Sequence, residues 1–179
     1  MTVFKRMLIG AAIIAGSFTA AVLQFSFFPA VAIAGATPNL VLALFFCLIF
    51  FDTASSVGWA AFAAAVCGFF LDIFSNAPFG VFVLILLVVY AFQRLLSYFL
   101  RGDRLRRSPG YFIALFLASF LLYAGLRYSI SLFLSPQYSL NVTTVISGVL
   151  SAAAALVGFL THQWFSTMRV PSKQLTLFK

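Results

Sequence analysis

Long runs of apolar residues, separated by short polar stretches, follow one another along the whole chain. A helix of about 20 apolar residues is long enough to cross the roughly 30 Å hydrocarbon core of a bilayer. The pattern predicts an all-α polytopic membrane protein, with about six transmembrane helices in one bundle and a single domain over 1–179. The predicted helices cover about 7–28, 38–55, 57–74, 80–100, 111–134 and 142–164.

The composition supports this fold class. Hydrophobic residues make up 64% of the chain, charged residues 8%, and the mean hydropathy is +1.13, so the chain could not present a soluble surface. The first residues resemble a signal peptide, with a basic start followed by an apolar run. That run continues through Phe28 and further apolar segments follow, so we predict an uncleaved first helix.

The second predicted helix is unusually short. Its uninterrupted apolar core has about 13 residues, or roughly 20 Å as a helix. Two arrangements are open: the segment spans the membrane with its polar ends in the interfaces, or it forms a re-entrant hairpin with the third segment.

The basic residues indicate the topology. Most of them cluster in three places, at Lys5, Arg6, 101–107, Arg169, Lys173 and Lys179. The positive-inside rule places all three clusters, and both termini, in the cytoplasm. Six crossings satisfy that placement, and a re-entrant hairpin would satisfy it too. The net charge of +8 is therefore attributed to topology and not to nucleic-acid binding.

Small residues form stripes on three of the predicted helices. The stripes comprise Ala12, Gly16 and Thr19 on the first, Gly58, Ala61, Ala65, Gly68 and Asp72 on the third, and Gly148, Ser151, Ala155, Gly158 and His162 on the sixth. Such stripes let helix backbones approach closely in lipid. The hypothesis is that these three helices pack together, while the Phe-rich faces of the other three meet lipid.

Asp72 ends the stripe of the third helix, near the predicted outer interface. A carboxylate there needs a partner or water. Arg127, in the outer half of the fifth segment, is one candidate partner, although it could instead bind lipid phosphate. The alternative is that Asp72 caps nearby backbone. Further polar and turn-forming residues gather on the same outer side, namely Pro38, Asn39, Asn76, Pro78 and Gly80.

The chain carries little that points to catalysis. It has no glutamate, and Asp52 and Asp72 are predicted on opposite faces of the membrane, so they cannot form a carboxylate pair. His162 has no acidic neighbour in the sequence and is interpreted as a packing residue. Cys47 and Cys67 lie in apolar surroundings and are predicted to be small buried residues. We predict no enzymatic activity, no cofactor and no metal, and expect a binding or scaffolding role.

Two stretches resemble a known family. "TPNLVLALFF" at 37–46 and "GFFLDIFSNAPFG" at 68–80 are similar to the rod shape-determining protein MreD, whose members open an early helix with Pro-Asn or Pro-Asp. About thirty residues later that family has a Gly-x-x-x-Asp run and a short polar turn that closes on Gly. The matching positions here are Pro38, Asn39, Gly68, Asp72 and Gly80.

The resemblance implies a role in bacterial cell elongation. MreD-like proteins belong to the inner-membrane machinery that directs lateral peptidoglycan synthesis. They bind the bitopic protein MreC, and through it associate with MreB, RodA and its transpeptidase. Their fold resembles the substrate-binding subunits of energy-coupling-factor vitamin transporters. On this expectation Pro38, Asn39, Gly68, Asp72, Asn76, Gly80 and Arg127 are structural or partner-binding candidates. A vitamin-binding transporter subunit is the alternative, and a membrane enzyme is a third.

Overall fold

The structure of the protein, a computed structural model, describes residues 3–32, 35–51, 57–75, 78–99, 109–134 and 142–168. Within these ranges the fold is all-helical, with short turns between helices. The α-helices in these ranges are α1 Val3–Val22, α2 Leu40–Phe51, α3 Val57–Phe74, α4 Val81–Phe99, α5 Pro109–Leu134 and α6 Val142–Met168. Three stretches are long and apolar enough to cross a membrane: Met7–Val31, Val81–Phe99 and Gly110–Ile130. Other apolar helical stretches are shorter, at Leu40–Phe50, Gly58–Phe74 and Ile146–Thr161. These features indicate an α-helical membrane protein.

The sequence pattern predicted that the first helix ends at about residue 28, before Pro29. In the structure, helical turns continue past Pro29. A π-helical turn at Leu23–Phe27 and a 3-10 turn at Phe28–Val31 continue it. Pro29 fits there because it lies in the first turn of the 3-10 segment, where a backbone N–H has no partner inside the helix. The π-helical turn also buries Gln24.

Helix α2 lies in the interior of the bundle. It packs against α1, α3 and α6, and none of the side chains from Leu40 to Phe50 is exposed. Its 12 residues give a length of about 18 Å, well short of a hydrocarbon core. A helix that is apolar on all sides is typical of a buried element. Because α2 is surrounded by other helices and not by lipid, its apolar run does not need to match the thickness of the bilayer.

Around α2, helix α3 packs on α4, α4 on α5 and α5 on α6, while α1 lies against α2 and α3. The main neighbours of α6 are α2 and α5, so the hypothesis that α1, α3 and α6 pack together is wrong for α6. Three glycines of the stripes face different kinds of neighbour: Gly68 faces the α4 backbone, Gly148 the ring of Phe120, and Gly158 the sulfur of Cys47. Small residues permit close approach without specifying the partner.

Aromatic rings fill much of the core, contrary to the prediction that the Phe-rich faces would all meet lipid. The ring centroids of Phe46 and Phe116 are 4.7 Å apart, and those of Phe112 and Phe159 are 4.6 Å apart. These pairs join α2 to α5 and α5 to α6. Buried aromatic pairs contribute about 0.5–1.5 kcal/mol each beyond the area they bury. Other rings, including Phe99, do face outward.

Candidate functional site

Asp72, near the end of α3, holds the first turn of α4. Its side chain is 4% exposed. Oδ1 accepts a hydrogen bond from the backbone N–H of Phe82 at 2.8 Å, and Oδ2 accepts from those of Gly80 at 3.0 Å and Val83 at 3.3 Å. The first N–H groups of a helix lack acceptors and carry the positive end of its dipole. A carboxylate there accepts their hydrogen bonds and also interacts favourably with the dipole. Asp72 is an N-terminal cap supplied by the neighbouring helix.

Gly68 lies one helical turn before Asp72 and allows α4 to come this close. A Cβ atom at Gly68 would lie 2.5 Å from Cα of Val83 and 2.7 Å from its backbone nitrogen. Only hydrogen fits in that gap. The Gly-x-x-x-Asp spacing thus has a physical meaning: the glycine sets the approach of the two helices, and the aspartate binds the amides brought within reach.

Gly80 makes the turn between α3 and α4 possible. Its φ of +96° lies in the left-handed region, which other residues rarely adopt. Its N–H donates to Asp72, and its carbonyl accepts the first helical bond of α4, from Leu84 at 3.0 Å. Pro78 precedes it in the same turn, while Asn76, a site candidate, lies outside the described residues.

The start of α2 has its own caps. Asn39 Oδ1 accepts from the N–H of Leu42 at 2.9 Å, which is the usual role of an N-cap residue. Gln24, on the π-helical turn after α1, accepts from the N–H of Val41 at 3.2 Å. Pro38, directly before Asn39, is partly buried. The Pro-Asn pair therefore initiates α2.

Two serines of α6 connect that helix to the same place. Ser151 Oγ accepts the backbone N–H of Asn39 at 2.8 Å and donates to the carbonyl of Ser147 at 2.6 Å. Ser147 Oγ in turn donates to the carbonyl of Thr37 at 2.6 Å. Sequence reasoning treated Ser151 as a small packing residue and missed Ser147 and Gln24. A glutamine inside an apolar run was the available signal.

Both helix starts lie at one end of the bundle. Phe25, beside Gln24, stacks on Phe74, two residues after Asp72, with ring centroids 5.3 Å apart. We call this end the helix-start layer and define it by the side chains that bind backbone there: Gln24, Asn39, Asp72, Ser147 and Ser151. Its polar groups are engaged in holding helices.

Arg127 lies near this layer without pairing with Asp72. Its guanidinium carbon is 5.9 Å from the centroid of the Phe82 ring. In the part of the chain that is described, Asp72 binds backbone amides and forms no ion pair with Arg127. Of the two roles left open by the sequence, the capping role is the one found.

The remaining reactive side chains have packing contacts. Cys67 is buried, with its sulfur 3.3 Å from Ser17 Oγ, and Cys47 donates to the carbonyl of Ala155 at 3.4 Å. Both cysteines are free; Cys67 is buried as predicted, whereas Cys47 is only partly buried. Asp52 and the His162 side chain lie outside the described residues. Among the residues described, no three His, Cys, Asp or Glu side chains gather as metal ligands would.

Replacing Asn39 tests the cap of α2. We expect Asn39→Ala to lower the free energy of unfolding by about 1 kcal/mol, because the N–H of Leu42 loses its acceptor. Asn39→Asp should preserve stability, since a carboxylate caps equally well and suits the helix dipole. Unfolding in detergent measures both. Equal losses for the two variants would contradict the capping role.

No family model, curated protein sequence or solved structure matches this chain. The candidate site therefore rests on the contacts described above. The resemblance to MreD-like proteins remains a prediction from residues 37–46 and 68–80.

Proposed function

We propose that the protein is a non-enzymatic scaffold of the MreD type. It crosses the bacterial inner membrane six times as one domain, with both termini in the cytoplasm and a bundle similar to energy-coupling-factor substrate-binding subunits. There it binds an MreC-like bitopic protein. Through that partner it associates with MreB, RodA and the elongation transpeptidase, and so helps direct lateral peptidoglycan synthesis and maintain rod shape.

One observation carries the proposal: the residues that match the family pattern have defined structural roles at one end of the bundle. Gly68, Asp72 and Gly80 together fix the turn from α3 to α4, and Asn39 caps α2 at the same end. The matching residues act in this proposal by shaping a surface, since their own polar groups are bound to backbone.

The turn they shape presents an aromatic side chain. Phe79, directly before Gly80, is 71% exposed, and its ring centroid is 5.8 Å from that of Phe69 on α3. Large exposed aromatic residues are frequent anchors of protein interfaces. In the proposed topology this turn faces outward, where the extracytoplasmic part of a bitopic partner would lie.

The test is a pull-down of the tagged full chain with a co-expressed MreC-like protein in mild detergent. We expect Phe79→Ala to reduce recovery of the partner by about tenfold, the loss of one anchor side chain. Phe99→Ala is the matched control, because Phe99 is 73% exposed and lies at the other end of α4. That variant should keep the partner.

One outcome would contradict the proposed interface, and another would overturn the scaffold proposal as a whole. Equal recovery with both variants would remove the turn from the interface. A vitamin-like small molecule that co-purifies at one equivalent, with no MreC-like protein, would favour the transporter-subunit alternative. Mass spectrometry of the same eluate distinguishes these results.

A further inference from the structure

A small cleft opens at the end of the bundle opposite the helix-start layer. It lies where α2 and α4 end and α5 begins, and it encloses about 20 Å³ of free volume. Four of its lining side chains are polar, Gln93, Arg94, Ser97 and Tyr111, and the others are Ile49, Phe50 and Leu115. The cleft is therefore polar in an otherwise apolar part of the molecule.

Gln93 is the unusual member of this cleft. It is 2% exposed, yet its Oε1 accepts no hydrogen bond in the described part of the protein. A buried amide oxygen without a donor costs about 1–3 kcal/mol, so such groups are nearly always satisfied. A water-sized group needs roughly 10–15 Å³, so the cleft has room for one small donor such as a hydroxyl group.

The mouth of the cleft favours negative charge. Arg94 contributes a guanidinium group and Ser97 a hydroxyl donor. Tyr111 is the third residue of α5, so the first turn of that helix, with its positive dipole end, borders the cleft. A ligand that suits both regions carries a hydroxyl donor for Gln93 and anionic oxygens for Arg94.

The neighbouring surface is suited to lipid. Leu95 is 56% exposed, Tyr98 59% and Phe99 73%, all on α4 beside the cleft residues. In a membrane helix such side chains lie against acyl chains or the interface. A ligand with an acyl tail could therefore occupy the cleft and this flank together, which a soluble phosphate ester could not do.

We propose that the cleft binds the headgroup of an anionic phospholipid that bears a free hydroxyl group, the chemistry of phosphatidylglycerol. The headgroup hydroxyl enters and donates to Gln93 Oε1. The phosphate, too large for the enclosed volume, stays at the mouth, where Arg94 and Ser97 donate to it. The site selects lipids by two features, charge and a hydroxyl donor.

Lipid binding to the delipidated full chain, followed by native mass spectrometry, tests this site. Phosphatidylglycerol should be retained about tenfold better than phosphatidic acid, which is also anionic but whose headgroup is the phosphate alone, with no alcohol hydroxyl beyond it to reach into the cleft. Both should be retained better than phosphatidylcholine. Soluble glycerol 3-phosphate should not displace the lipid at equal concentration, because it lacks the acyl chains.

Two variants separate the two features. Gln93→Leu should abolish the preference for phosphatidylglycerol over phosphatidic acid while keeping the preference for anionic lipid, because it removes the amide that accepts the hydroxyl and leaves Arg94 in place. Arg94→Gln should abolish the preference for anionic lipid. Arg127→Gln is the control for the hydroxyl preference, since it removes a positive charge near the helix-start layer, away from Gln93, and should leave the preference for phosphatidylglycerol over phosphatidic acid unchanged.

Three results would overturn the proposal. Equal retention of phosphatidylglycerol and phosphatidic acid by the unchanged protein would mean that the lipid hydroxyl does not donate to Gln93, which would then bind only water. Displacement by glycerol 3-phosphate at equal concentration would assign the cleft to a soluble ester. Unchanged selectivity in Gln93→Leu, with the variant folded and binding lipid, would place the lipid elsewhere.

Discussion

Gly68→Ala is expected to destabilise the protein by about 2–3 kcal/mol, a large effect for one methyl group. The added Cβ would lie 2.5 Å from Cα of Val83, and that contact is to backbone, which cannot rotate away as a side chain would. Relief requires α4 to move away from α3. Because Asp72 reaches the α4 amides only at the present separation, the same displacement would lengthen its hydrogen bonds.

The control for Gly68 is another glycine in the middle of a helix. Gly125 on α5 is exposed, and a Cβ atom there would meet nothing within 4 Å. Gly125→Ala should be neutral or stabilising by up to about 1 kcal/mol, because alanine is the better helix former. Unfolding of the two variants in the same detergent compares them directly. A Gly68→Ala protein as stable as Gly125→Ala would show that α3 and α4 are not in close contact.

Asp72→Ala is expected to lower the free energy of unfolding by about 3 kcal/mol, because three backbone amides lose a charged acceptor at once. Asp72→Asn should lose less, since one carbonyl oxygen remains to accept, although its amide group faces N–H donors. Hydrogen exchange should locate the damage. Amides of Gly80, Phe82 and Val83 are expected to exchange faster in both variants.

A double-mutant cycle separates this cap from an ion pair. Arg127 is exposed and contacts the Phe82 ring, so Arg127→Gln alone should cost about 1 kcal/mol or less. The losses from Asp72→Ala and Arg127→Gln should add within about 0.5 kcal/mol. A coupling energy well above that value would indicate an ion pair between Asp72 and Arg127 and would contradict capping as the main role of Asp72.

The all-helical class could be predicted from the sequence because hydropathy alone identifies apolar helices. At the start of α4 the sequence also indicated individual residues: Gly68, Asp72 and Gly80 were identified as site candidates from their types and spacing. What Asp72 binds could not be read from the sequence. Its partners are backbone amides. Nearly every residue has one, so the amino-acid sequence does not indicate which of them Asp72 binds.

The packing of the helices was less predictable, for a physical reason. The stripe on α6 offered a smooth face, but nothing in it specified whether a backbone, a ring or a sulfur would fill the space. Gln24 was missed because its role depends on the π-helical turn, which rotates that residue towards the start of α2. The Phe-rich core was missed because large rings suit both lipid and protein neighbours.

The enclosed position of α2 has a consequence for how the protein is made. Its side chains are covered partly by α6, which is synthesised after α1 to α5, and the N–H of Asn39 donates to Ser151 on that helix. While α1 to α5 enter the membrane, α2 therefore lacks one of the helices that enclose it. Final docking of this short helix is expected only after α6 has been inserted.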